Sequence, residues 1–384
     1  MIASGVLDML DKMSNDHPAV SSQLDNIKNS FKESLWHIIT DQLLSLTNDP
    51  EFDQGKDLII LFNDFVKNLD KKINHLKYVR IAVNCSKQFE DISESIAFLD
   101  ELKDKFKDTP AAKLFCLVSI AEKRLNLGEY NESIDLLNEV ESELKALNDV
   151  DQIVYSELYK TFAVYYRRKE KFSEFYQNGL QYLAYTSSDE LSDIEKREWC
   201  INMGKAILLG KDIYNIAELL EKDILKSLEN TDYEWLYEIL QALNTANIET
   251  FEESLVRFHA QISENEEISK NEKQLQQKIR ILALLDLVFH REKGDRNLDF
   301  ELIADVTKIS VDDVELLIIK AMNLGLVKGI IDQVDQVVRI TWVKPRMLPK
   351  DKIKIMSDKL AKWDEQIDMT IKMLENHCSE LLQC

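Results

Sequence analysis

Apolar positions recur at helical spacing through most of the chain, and the pattern is richest between residues 274 and 345. Gln277 to His290 is apolar on nearly every face except at Asp286, which predicts a helix buried on most sides, stopped by Gly294 and Asp295. Asp299 offers an N-cap with Glu301 in the following turn, and Leu302, Ile303 and Val306 form one stripe of a short second helix. Ser310 stands three residues before Asp313 in a capping-box arrangement. Behind it Val311, Val314, Leu317, Ile318, Ala321 and Leu324 mark a third helix that Gly325 ends. Two β-branched runs follow, Leu326 to Ile331 and Val337 to Val343, and the polar residues between them predict a hairpin. Three helices and a hairpin in this order are a winged helix. Alternation along the second strand sends Val338, Ile340 and Trp342 to one face and leaves Val337 and Val343 on the other, where a partner is expected to cover them.

Upstream the pattern is repetitive. Aromatic residues follow short polar turns at Phe89, Tyr130, Phe172, Tyr214 and Phe251, separated by 41, 42, 42 and 37 residues, and an amphipathic run succeeds each. The implied unit is a helical hairpin of about 40 residues, a little longer than a tetratricopeptide repeat. Single hairpins cannot bury their apolar faces, so the expectation is a right-handed solenoid over 1–273 in which the corner aromatics wedge neighbouring units together. Leu24, Ile27, Phe31, Leu35, Ile38 and Ile39 make a further helical stripe near its start, Pro50 breaks the chain, and Leu58, Leu61, Phe62, Phe65, Val66, Leu69 and Ile73 make another.

The far end carries a different period. In 346–384, Ile353, Met356, Leu360, Trp363, Ile367, Thr370, Leu374, Cys378 and Leu381 alternate spacings of three and four, the seam of a helix that packs against other helices. A turn at Pro345 and Pro349 that folds this helix back on its own winged helix is the competing expectation. The fold class is therefore mainly α, in three parts: a helical-repeat solenoid over 1–273, a winged helix over 274–345 and a long C-terminal helix over 346–384. Met356, Leu360, Trp363, Ile367, Leu374, Cys378 and Leu381, with Val337 and Val343 on the wing, are the candidate interface residues.

Charge narrows the partners. The net charge is −21, and residues 274–345 hold 10 Lys+Arg against 11 Asp+Glu, so almost all of the excess acid lies in the first 273 residues. Such a surface repels polyanions. The third helix of the winged helix begins Val311-Asp312-Asp313-Val314-Glu315 with Lys320 its sole cation, which argues against nucleic acid as a partner. No run approaches the ~20 apolar residues that span a bilayer, so no membrane partner is expected. Six histidines lie apart from one another, only His377 adjoins a cysteine, there is no H-E-x-x-H, and the nine glycines form neither phosphate-binding loop. Five cysteines without a C-x-x-C pair read as thiols in a reducing compartment. No catalytic residue, metal site or cofactor is expected.

The order of helical array, winged helix and C-terminal helix, with the stretches GKDIYNIAELL, YEWLYEILQALN, LQQKIRILALLDLVF, VELLIIKAMNLGLVKGIIDQVDQVV and ITWVKPR, resembles the PCI family. That module is shared by the proteasome lid, the signalosome and a translation initiation factor, and the stretches are most similar to a lid member. The resemblance implies a non-catalytic scaffold of the proteasome regulatory particle that supports lid assembly and ubiquitin-dependent degradation in cytoplasm and nucleus. Its implied partners are other PCI subunits, met through the winged helix and a C-terminal helical bundle, with ubiquitin-receptor or deubiquitinase subunits as further neighbours. Two alternatives are a scaffold in another PCI complex and a nucleic-acid-binding winged-helix regulator.

Overall fold

The computed structural model describes residues 2–18, 20–49, 56–70, 72–147, 150–187, 191–228, 231–291, 296–344 and 350–377. Its contacts divide the chain into two compact units, 1–192 and 193–384. The expected breaks at Pro50, at Gly294 and Asp295, and at Pro345 and Pro349 lie outside the described residues.

The first unit is helical throughout its described length. It runs α1 (Ile2–Asp16), α2 (Ser21–Lys32), α3 (Trp36–Thr47), α4 (Asp57–Asp64), α5 (His75–Cys85), α6 (Ile92–Lys105), α7 (Pro110–Leu127), α8 (Tyr130–Ala146), α9 (Gln152–Arg168) and α10 (Phe172–Tyr185). Alternate helices stack, α3 on α5, α5 on α7 and α7 on α9, while α6, α8 and α10 each pack beside a member of that row. This is the hairpin-on-hairpin logic of a helical repeat, in which every unit borrows its core from its neighbours. The shared core is continuous from Leu10 to Phe162. Corners obey local chemistry. Gly128 ends α7 at φ 88°, where glycine meets no Cβ penalty, and Pro110 sits in the first turn of that helix, where its missing N–H costs nothing. Tyr130, just past the Gly128 corner, sets its ring 6.4 Å from that of Tyr165 on α9 and receives the Lys169 ammonium 4.0 Å from its centroid, so here the corner aromatic does join successive hairpins.

The stripe expected as one helix around residues 24 to 39 is broken. Ser34 adopts φ 58° between α2 and α3, and this reversal buries Leu24, Ile27 and Ile39 while leaving Leu35 and Ile38 exposed.

The second unit opens with α11 (Asp193–Leu209), α12 (Ala217–Leu220), α13 (Glu234–Thr245), α14 (Ile248–Arg257), α15 (His259–Glu264) and α16 (Glu266–Lys270). The amphipathic helix expected after Tyr214 reduces to four-residue α12 and a 3-10 turn at Asp223–Leu228. Phe251 lies inside α14, fully buried, rather than at a corner. Asn247 caps α14 by accepting the backbone N–H groups of Glu249 and Thr250. α17 (Glu272–His290) is the central helix of this unit, burying Leu275, Ile279, Ile281, Leu282, Leu284, Leu285 and Val288. Lys308 and Glu249 pair at 2.6 Å on the surface of the same unit.

The winged helix then forms from β1 (Asn297–Asp299), α18 (Phe300–Thr307), α19 (Val311–Asn323), β2 (Val327–Asp332) and β3 (Val337–Val343). The hairpin is not alone, since β1 joins it to give an antiparallel sheet in the order β1-β3-β2. Ser310 does cap the third helix by position, but its hydroxyl donates to the Asp313 carboxylate at 2.7 Å instead of accepting a backbone N–H. Gly325 takes φ 65° past the helix end. The chain closes on α20 (Lys350–His377), a helix of 28 residues and roughly 42 Å.

Candidate interaction surfaces

β3 is the central strand, so Val337 does not line an edge, whereas Val343 lies past the stretch that β1 pairs. A bulge between Lys328 and Gly329 interrupts the β2–β3 register: Ile340 faces Gly329, Trp342 faces Lys328 and Val343 faces Val327. Opposed residues point to one face of a sheet. Val343 therefore shares the core side with Val327, which is buried, whereas Val337 lies with Asp332 on the other side. The expected shared face of Val337 and Val343 is overturned by this extra residue, and so is the inward placement of Trp342. The indole is 40% exposed and receives the Lys328 ammonium 5.3 Å from its centroid. Both valines are half-buried. Gly329 permits the bulge, because a Cβ there would meet the Arg339 carbonyl oxygen at 2.3 Å.

The sheet can accept a further strand along β2, whose outer edge is unpaired among the described residues. Ile330 and Val334 at that end of the wing are exposed. Beside them α19 presents Leu316 and Ile319 to solvent next to Asp312 and Glu315, with Gln333 donating to Glu315 at 3.0 Å. An apolar pair set among carboxylates repels phosphate.

Every described side chain of α20 is exposed, which excludes a fold-back against its own winged helix over that stretch. Met356, Leu360, Trp363 and Ile367 expose 48, 59, 62 and 43% of their surface. The apolar surface extends past the expected seam, because Met369, Ile371 and Met373 are exposed as well. The side chain of Leu374, and Cys378 and Leu381 altogether, lie outside the described residues.

The described cysteines, and two of the histidines, have structural surroundings. Cys85, Cys116 and Cys200 are buried, and burial pushes each thiol up to about 12, far from the thiolate a nucleophile requires. His17 pairs with Asp57 at 2.9 Å and His75 with the Thr109 hydroxyl at 2.8 Å. Among the described residues no group of three or more His, Cys, Asp or Glu could hold a metal ion, and no helix is long and apolar enough to cross a membrane.

The repeats and the winged helix each match a known family. A model described as PSD13 N-terminal repeats covers residues 23–240, more than half of the chain, and a PCI domain model covers 254–342. The chain belongs to the proteasome regulatory subunit 13 family. One relative, 26S proteasome non-ATPase regulatory subunit 13 homolog B of Arabidopsis thaliana, is 34% identical over 98% of this chain and 99% of its own length. The 26S proteasome regulatory subunit RPN9 of Saccharomyces cerevisiae is 30% identical over 93% of each chain. Eukaryotic translation initiation factor 3 subunit M of Phaeosphaeria nodorum is 22% identical over 51% of this chain and 43% of its own. Family membership thus extends through the hairpins, while the initiation-factor likeness stops at about half the chain.

Proposed function

We propose that this chain is a non-catalytic scaffold subunit of the proteasome regulatory particle lid, acting in cytoplasm and nucleus. The observation that carries the reading is end-to-end similarity to proteasome regulatory subunits in a chain whose last helix is apolar and exposed. Other PCI subunits are the partners: their helices cover Met356, Leu360, Trp363 and Ile367 of α20, continued by Leu374, Cys378 and Leu381, and a neighbouring winged helix adds to the sheet near Val337 and Val343. Edge addition along β2 uses main-chain hydrogen bonds for affinity and alternate side chains for selection. The working division is then 1–273 for the helical array, 274–345 for the winged helix and 346–384 for the bundle helix. Ubiquitin-receptor or deubiquitinase subunits are further neighbours. Affinity purification of the tagged chain, with identification of what accompanies it, tests the proposal. Lid subunits together with the peptidase core support it; ribosomal or cullin-modifying partners in their place refute it.

A further inference from the structure

A cavity of about 410 Å3 opens in the second unit where three elements meet: the end of α11 with the residues after it, the first half of α17, and the last turn of α19. That volume falls within the ~300–1,000 Å3 typical of small-ligand sites. Leu209, Ile281 and Leu324 give it an apolar wall, and Lys211, Lys278 and Lys320 stand around that wall. In a chain of net charge −21 this is a local reversal of sign.

Lys278 is the informative member. It is only 4% exposed, and its ammonium donates to the carbonyl oxygens of Ile207 and Gly210, the latter at 2.8 Å. An ammonium has three hydrogens, and these two bonds leave one. Asp212 is the carboxylate whose charge it feels, and the two form no ion pair. A buried cation held by two neutral carbonyls, with the Tyr214 ring 5.5 Å away, is costly, and an anion brought into the cavity offsets that cost.

The surroundings select the anion. Two of the helix ends that face the cavity, Leu209 of α11 and Asn323 of α19, are C-terminal ends, whose partial negative charge opposes a phosphate dianion more than a single carboxylate, while Gln274 brings in the first turn of α17. A single carboxylate with an apolar substituent suits one buried ammonium beside Leu209, Ile281 and Leu324. Gln274, Gln277 and Asn323 also line the cavity, and their amides can pair with a peptide backbone. We propose that this cavity receives the free C-terminal carboxylate of a partner polypeptide that ends in an apolar residue, with the carboxylate on Lys278 and upstream acidic residues on Lys211 and Lys320.

The test is calorimetric titration of the full chain with three probes: a peptide ending Glu-Asp-Leu-Leu with a free carboxylate, the same peptide amidated, and N-acetyl-leucine. The free-acid peptide is expected to saturate one site, amidation to weaken it about tenfold or more, and N-acetyl-leucine to bind more weakly than the peptide. Lys278→Met abolishes binding, while the rim variants Lys211→Gln and Lys320→Gln each weaken it severalfold. Should Lys278→Met prove unfolded by circular dichroism, the amide comparison and the rim variants decide. Equal binding of acid and amide, no saturation below about 1 mM, or unchanged affinity in both rim variants overturns the proposal. N-acetyl-leucine binding as tightly as the peptide also overturns it, by showing that the site takes small carboxylates.

Discussion

Replacing Lys278 with methionine should flatten the pH dependence of stability in the second unit. Burial holds this amine down to about 7, against 10.5 for an ordinary lysine, and the charge of Asp212 only partly opposes the shift. That gap corresponds to roughly 5 kcal/mol favouring the neutral form in the fold. The sign follows from proton counting. Between pH 7 and 10.5 the unfolded chain keeps a proton that the folded chain has released, so folding stability rises with pH there. Below about pH 7 both states are protonated and the full penalty is present. From pH 7, where the folded amine is half protonated, to pH 8.5 the slope should climb towards about 1.4 kcal/mol per pH unit, a gain of roughly 1.6 kcal/mol in all from this one group. The Cys200 thiol and the Tyr214 phenol titrate near 12, above the window, and are common to both proteins. Urea unfolding followed by tryptophan fluorescence suits the measurement, since Trp199, Trp235, Trp342 and Trp363 all belong to the second unit. The difference between wild type and Lys278→Met, taken at each pH, cancels the remaining groups. A difference that stays constant from pH 7 to 8.5 would refute the reasoning.

Deleting residues 350–384 should leave a soluble, cooperatively melting chain that fails to join the lid, because α20 is exposed along its described length; normal incorporation in a pull-down contradicts this. Full burial of an apolar side chain is worth about 1.5–3 kcal/mol, so Trp363→Asp alone should weaken incorporation strongly with the helical circular dichroism unchanged. Gly329→Ala should destabilise the winged helix by about 1–3 kcal/mol through the clash with the Arg339 carbonyl, visible as a lower denaturation midpoint. Alkylation at pH 8 with mass-spectrometric mapping should spare Cys85, Cys116 and Cys200 until the chain is unfolded, as their buried thiols stay protonated.

What could be read before folding was local. The stop at Gly325 and the 3.6-residue stripes of α17 to α19 depend on neighbours within a turn or two, and these elements stand where the pattern puts them, with Asp299 and Ser310 at the N-cap positions although neither side chain accepts a backbone N–H. β1 was not legible, because three residues carry no periodicity and its partner β3 lies about 40 positions downstream. The bulge defeated the alternation of β3 for a similar reason: its cause is the backbone contact between Gly329 and Arg339, which no single strand reveals. Even spacing at Tyr214 promised a helix, yet the chain there packs as short turns, and Tyr214 is buried beside Lys278 at 5.5 Å. Lys278 itself drew no notice in a helix read as apolar except at Asp286. The available signal was its position among Leu275, Ile279 and Leu282, on the buried side of α17.

The exposed stripe of α20 also fixes what happens to a chain that finds no neighbours. Met356, Leu360, Trp363, Met369 and Met373 then stay in water as a sticky ribbon along one helix. Surplus copies made beyond the supply of partner helices will self-associate or be captured by the machinery that recognises exposed apolar segments. If partner helices cover α20 as proposed, the lifetime of this polypeptide in a cell should follow stoichiometry, with completed assembly acting as its protection from removal.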